Sequence, residues 1–452
     1  MWIAIVTVSV LASSLIYLKF FSLYHLLIAA TLAWYLVRRS KNKFIDAAIL
    51  NQNFHDGKTY KFYDKISLFL LVWVLYALLT VLWSPNKTLS LQYVYYIFLI
   101  FGFVIICRCE LTTRNKWENF VLFLVFLTLA LNLIGIWEMQ TGNHIVPNYL
   151  DSADRIRLLK YMPGGPFRNP NDFATCLAML TPYSLLAFTV VNNKAIKLVC
   201  LVNMILVMVV ISGTSSRANL IALVLLYTLF ALSSVKKRKG MLISIILLGT
   251  ALFLIINTYI YPIGEVISKS FSTIELDSLL NSADEAGTST SIRINLMLNA
   301  LLMVRDSFGF GVGAACHRVL MQMYSVAYYN TGATLVAHNL FIEILADYGI
   351  LIFSASIVMF VSIFYRLNKI KKSTEYFDQR YSASMLIIIN IIFLISSLSS
   401  SSIIQLTSLW INFGITSAFF NIDWGKELEK RDITEEKQII YDNNNSKLEV
   451  DK

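Results

Sequence analysis

Four groups able to handle a charged leaving group stand in four separate stretches: Arg168 in GGPFRNPND, Arg217 in SGTSSRAN, Arg293 in STSIRIN and His338 in AHNLFIEILAD. A guanidinium presents a planar fork of donors that matches phosphate oxygens. An imidazole, with an ordinary pKa near 6.5, is the side chain suited to take a proton from a hydroxyl at neutral pH. Arg217 directly follows Gly213-Thr214-Ser215-Ser216, hydroxyls that can cap a helix whose N-terminus favours anions. The competing reading is that Arg217 snorkels to lipid headgroups. DSAD at 151–154 is a poor substitute for a DxD clamp. A pyrophosphate is therefore expected to be held by arginine, with no metal and no cofactor.

Asn339, Glu343 and Asp347 recur at i, i+4 and i+8, so they line one stripe of a helix that is otherwise Leu, Ile and Phe. Charged side chains in hydrocarbon cost about 2.5–3.5 kcal/mol each on insertion scales. The stripe must face protein partners or a wet cavity. His338 stands at its head, where the mouth of such a cavity would lie. His25, His55, His144 and His317 have no comparable setting and are read as ordinary satisfied polar residues.

The elements that must position these groups follow from composition. Of 452 residues, 57% are hydrophobic and 15% charged, and apolar windows of about 20 residues recur, so the chain is expected to be an all-α polytopic membrane protein. About twelve spans are expected: 2–18, 20–37, 66–83, 91–107, 119–137, 173–191, 195–212, 218–235, 241–260, 340–365, 381–399 and 402–421. The net charge of +10 does not point to nucleic acid, because 27 of the 38 Lys and Arg fall on the side that alternation of these spans makes cytoplasmic, as the positive-inside rule requires. Both termini then face the cytoplasm, and the four candidate groups face outward. Five cysteines without a CxxC pair imply neither a disulfide framework nor a zinc site. Within the long outer loop 261–337, residues 291–306 and 317–329 read as short helices lying at the interface or over the bundle, and Gly309, Gly311 and Gly313 as a turn. The expected domains are a transmembrane unit over 1–425 and a polar, disordered cytoplasmic tail over 426–452.

Four segments in this order, PFRNPNDFATCLAML, SGTSSRANLIALVL, SIRINLMLNAL…GFGVG and AHNLFIEILADYGI, resemble the O-antigen ligase and polymerase superfamily of bacterial envelope proteins. The resemblance covers roughly residues 160–360 and implies a GT-C-like architecture in the bacterial cytoplasmic membrane. It implies a metal-independent, inverting glycosyltransferase acting on the outer face, with a lipid-linked oligosaccharide donor on undecaprenyl pyrophosphate and a glycan acceptor. By that resemblance Arg217 and Arg293 clamp the pyrophosphate, Arg168 adds a third contact, and His338 is the general base. Asn339 and Glu343 orient the acceptor. Membrane lipid, a flippase and a chain-length regulator are the further partners implied. The leading expectation is a polymerase of repeat units, with a ligase onto lipid A core or another acceptor as the alternative. A transporter, with Glu343 and Asp347 as its coupling path, is the rival from another class; such proteins show internal repeats, and none is found here.

Overall fold

The computed structural model describes residues 65–146, 159–233, 289–398, 400, 402–422 and 424, with short pieces at 2–11, 17–18, 21–22 and within 27–34. The described chain is helical apart from a hairpin that pairs Tyr17–Leu18 with Phe21–Ser22. In order the helices are α1 Trp2–Leu11, α2 Lys65–Thr80, α3 Lys87–Glu110, α4 Arg114–Thr141, α5 Pro170–Val190, α6 Lys194–Gly213, α7 Arg217–Ser233, α8 Ser289–Asp306, α9 His317–Ala327, α10 Leu340–Ser373, α11 Phe377–Ser396 and α12 Ile411–Phe419. Six of them (α3, α4, α5, α6, α10 and α11) are long and apolar enough to cross a membrane, and α2 and α7 are shorter apolar helices. The chain is thus a multi-pass helical membrane protein. Its flanks carry exposed Leu75, Leu198, Ile221, Val224, Val358 and Val361, as suits a surface that faces lipid.

Helix α5 is apolar all round and is enclosed by the bundle. Every residue from Asp172 to Phe188 is buried, and α4, α6, α7 and α11 pack around it. Buried amides bind neighbours together as polar glue: Asn203 donates to the Val125 carbonyl at 2.8 Å and to Ser184 at 3.2 Å. On the other side α10 packs on α2, α8 and α11.

Helix α10 has 34 residues, about 50 Å at the helical rise. It is broken at Gly349, whose φ of 72° and ψ of −171° are not helical. The glycine loop repairs the break. Val312 and Gly313 donate to the carbonyls of Ala346 and Asp347 at 2.9 and 3.0 Å, and the Ile350 amide donates to the Gly309 carbonyl at 2.8 Å. A Cβ at Gly349 would meet the Gly309 oxygen at 2.1 Å, and one at Gly311 would meet the Asp347 carbonyl oxygen at 2.5 Å. Non-helical backbone at this depth is tolerated because protein amides re-satisfy it.

One expectation changes in form. The predicted span 402–421 is two 3₁₀ turns, Ile403–Gln405 and Thr407–Trp410, followed by the nine residues of α12. Its apolar side chains, among them Ile403, Ile404, Trp410 and Phe413, are buried inside the bundle. The segment runs along α3 from Ser402 at Tyr93 to Ser417 at Arg108, so it traverses the bundle as expected but as an interrupted path and not as one continuous helix. The serine run that precedes it ends α11 because hydroxyls compete with helical backbone bonds. The glycines at 309–313 form the expected turn, and it is docked on α10. Helices α8 and α9 stand where the short outer helices were expected. The predicted spans 20–37 and 241–260, and the tail, lie wholly or largely outside the described residues.

Candidate functional site

One end of the bundle gathers the N-termini of α5, α7 and α10, the first turns of α8 and the serine-rich segment that follows α11. Asn169 caps α5, its Oδ1 accepting from the Asn171 amide at 2.9 Å. Asn339 caps α10, its Oδ1 accepting from the amides of Phe341 and Ile342 at 3.0 and 3.3 Å. A helix N-terminus carries partial positive charge and unpaired amides, so this end is receptive to anions.

Arg217 begins α7 and is exposed; Arg293 lies in the second turn of α8 and is half-buried. Burial, and then the Arg217 guanidinium nearby, lower the proton affinity of Arg293. The Arg293 charge acts in turn on His338. Burial first and Arg293 second push that imidazole below its ordinary value, against a hydrogen bond to the Ser400 backbone that lifts it. Nδ1 of His338 is buried and makes no hydrogen bond among the described residues. His338 also holds a left-handed backbone, φ 50°, immediately before the Asn339 cap, an uncommon conformation for a residue other than glycine.

Three of the expected residues, Arg217, Arg293 and His338, are thus brought together from separate stretches. Among the described residues neither arginine has a carboxylate partner. Two adjacent guanidinium groups without a counter-ion form a site that favours a polyanion.

The other expected residues stand differently. Arg168 is exposed in the turn that precedes α5, and no contact links it to the other three. Glu343 is 1% exposed and its Oε1 accepts from the Ser402 hydroxyl. The polar stripe of α10 faces protein, the first of the two settings expected for it.

Sequence reasoning passed over His317 and Arg318. Asp347 Oδ1 accepts from the His317 amide at 2.8 Å, and Oδ2 accepts from the Ala315 amide at 3.0 Å and lies 2.8 Å from His317 Nδ1. Burial pulls the His317 imidazole down, but Asp347, by charge and hydrogen bond, and then Glu343 outweigh it, so the proton is held above the ordinary value. The Arg318 guanidinium lies over the Tyr93 ring, 5.2 Å from its centroid. His317, Glu343 and Asp347 have the spacing of a metal cluster. They fit a metal poorly: the Asp347 oxygens are committed to three nitrogens, and His317 and Arg318 already oppose the two carboxyls. The readable signal was the adjacent His317-Arg318 pair and the end of the stripe at Asp347.

Fold and site together define a helical membrane protein with an anion-receptive cationic cluster and an imidazole at one end of its bundle. Residues 202–357 match the family model described as O-antigen ligase. The chain is 27% identical over 362 residues to the teichuronic acid biosynthesis protein TuaE of Bacillus subtilis (strain 168), covering 79% of this chain and 72% of the relative. The two matches support the O-antigen ligase and polymerase superfamily that the motifs resemble. The matched region contains Arg217, Arg293 and His338.

Proposed function

We propose that the protein is a glycosyltransferase that joins lipid-linked oligosaccharide units into a cell-surface polysaccharide at the outer face of the cytoplasmic membrane. The observation that carries the reading is the coupled, unneutralised Arg217–Arg293 pair beside the unpartnered Nδ1 of His338. The outward assignment rests on the sorting of Lys and Arg among the loops.

Arg217 and Arg293 hold the pyrophosphate of a polyprenyl donor. The acceptor hydroxyl approaches the anomeric carbon from the opposite side, and His338 Nδ1 takes its proton. A bond forms between the acceptor oxygen and the anomeric carbon, and the bond from that carbon to the phosphate oxygen breaks. Charge developing on the departing polyprenyl pyrophosphate is met by the two guanidinium groups, and the anomeric centre inverts. Burial and Arg293 keep the imidazole neutral, the form that a base requires. Arg168 reaches the outer part of the phosphate. Asn339 and Glu343 act from behind: Asn339 starts α10 beneath the imidazole, and Glu343 anchors Ser402, two residues beyond the backbone that His338 bonds. No coupling path is assigned to Glu343 and Asp347, because both carboxyls are buried against protein partners.

Extension of repeat units is the leading reading and transfer of a finished chain the alternative; a relative named for teichuronic acid biosynthesis is compatible with both. Purified protein in vesicles, given a defined lipid-linked repeat unit, should yield a ladder of longer lipid-linked products. Transfer of the unit only to a second, non-identical acceptor would replace polymerase by ligase, and no transfer to any acceptor would remove the reading.

A further inference from the structure

Behind the cationic cluster lies a buried polar junction that takes no part in the transfer step. It joins α5, α7 and the serine segment through four residues, Thr175, Ser216, Asn219 and Ser400, each no more than 1% exposed. Asn219 Nδ2 donates to Ser216 Oγ at 2.9 Å and to Thr175 Oγ1 at 3.0 Å. Thr175 Oγ1 donates to the Asn171 carbonyl one turn back, at 2.9 Å, and lies 2.8 Å from Ser400 Oγ. With the single threonine proton given to Asn171, the Ser400 hydroxyl is the donor in the last bond. Thr175 Oγ1 then accepts from two neighbours and donates once, which saturates it.

Each arm ends beside a residue of the proposed site. Asn219 lies two positions after Arg217 on α7. Thr175 lies in the first turns of α5, which Arg168 precedes. Ser397, three residues before Ser400, accepts from the Leu340 amide at 3.2 Å, which ties the serine segment to the chain two residues past His338, and the Ser400 backbone supports the His338 ring. Thr175 is the point at which α5, α7 and the serine segment meet, and buried polar networks of this kind rigidify the elements they join, so the spacing between guanidinium and imidazole is transmitted through Thr175.

We propose that Thr175, with Ser400, is a positioning element of the transferase that fixes the His338 imidazole against Arg217. The role rests on the function proposed above but acts on the imidazole itself. Removing the threonine hydroxyl frees Ser400 to shift and weakens the backbone bond that supports the protonated ring.

Thr175→Val keeps shape and loses the junction; Thr175→Ser keeps the oxygen. The pH dependence of diethyl pyrocarbonate modification at His338, followed by peptide mass spectrometry in nanodiscs, reads the imidazole without any substrate. Arg293 is the charge that faces this ring, and it is unchanged in both variants. Thr175→Val should move the modification midpoint to lower pH. It should reduce the turnover of a lipid-linked repeat about tenfold, with KM within about twofold, since small misplacements of a catalytic group are expensive. Thr175→Ser should restore both. Ser400→Ala, which leaves the backbone carbonyl in place, should repeat the valine result, and the double variant should lose no more than either alone. A wild-type midpoint in Thr175→Val and Ser400→Ala, or an equal loss in Thr175→Ser, would overturn the assignment. If the wild-type protein transfers no sugar, the functional reading falls while the modification midpoint still decides the role of Thr175.

Discussion

His338 and His317 lie only 21 positions apart and both carry a buried ring nitrogen, yet their surroundings have opposite sign. Arg293 stands beside His338, whose Nδ1 is unpartnered, and burial and that charge drive its proton off. Asp347 and Glu343 stand beside His317, and they hold its proton on. The first is the setting of a base and the second of a structural ion pair. Residue type and depth do not separate the two; the sign of the nearest charge does.

The largest effect expected from that contrast is at His338. His338→Ala should lower transfer of a lipid-linked unit by about 10²–10⁴, the range for loss of a general base, while thermal stability stays near wild type. The rate should rise with pH through a midpoint below the ordinary histidine value, because the deprotonated ring is the active form. A wild-type rate in the alanine variant would remove the imidazole from the chemistry.

Next come the arginines. Arg217→Lys and Arg293→Lys keep charge but lose the fork, and each should cost about tenfold to hundredfold in kcat/KM for the lipid pyrophosphate donor. Full activity in both lysine variants would mean that the groups act only as diffuse positive potential.

His317→Gln should act on stability more than on turnover. The native pair holds the proton more tightly folded than unfolded. Its contribution is therefore complete below about pH 6.5 and is lost as pH rises through the raised folded value. The variant should lose about 1–3 kcal/mol on the acid side, where the buried Asp347 carboxyl is left short of a partner, and converge on wild type as pH rises. Melting curves between pH 5 and pH 9 measure this. A constant gap across the range would show that the proton plays no part.

Much of this was legible beforehand, for reasons that particular residues make clear. Long apolar windows gave α3, α4, α5, α6, α10 and α11 because only a helix satisfies its backbone in lipid. His338, Arg217 and Arg293 were legible as types suited to phosphate and proton, and the structure places them together. At Ile403–Phe419 the hydropathy marked a segment that traverses the bundle but not its broken form, because buried protein core and lipid-facing surface have the same hydropathy. The environment of His317 was hidden because its charge depends on Asp347, thirty residues away, and on a break at Gly349 that opens α10 to the glycine loop. Nothing local to His317 encodes that meeting. Thr175 and Asn219 were hidden for the same reason, since a hydroxyl or amide within an apolar helix reads as a neutral interruption until its partners are known.

The smallest effect is expected at the opposite end of the bundle, where arginine is neutralised. Arg114 Nε lies 2.6 Å from Glu118 Oε1, and its Nη2 bonds Asp378 at the start of α11. These side chains are partly open to solvent, so screening and side-chain entropy reduce the pair to roughly 1 kcal/mol or less. Arg114→Gln should therefore lower the melting temperature slightly and leave transfer within about twofold of wild type. The same guanidinium with its counter-charge present has no anion left to recruit. A tenfold loss of transfer on removing Arg114 would show that the contrast between paired and unpaired arginine does not separate structural positions from functional ones in this bundle.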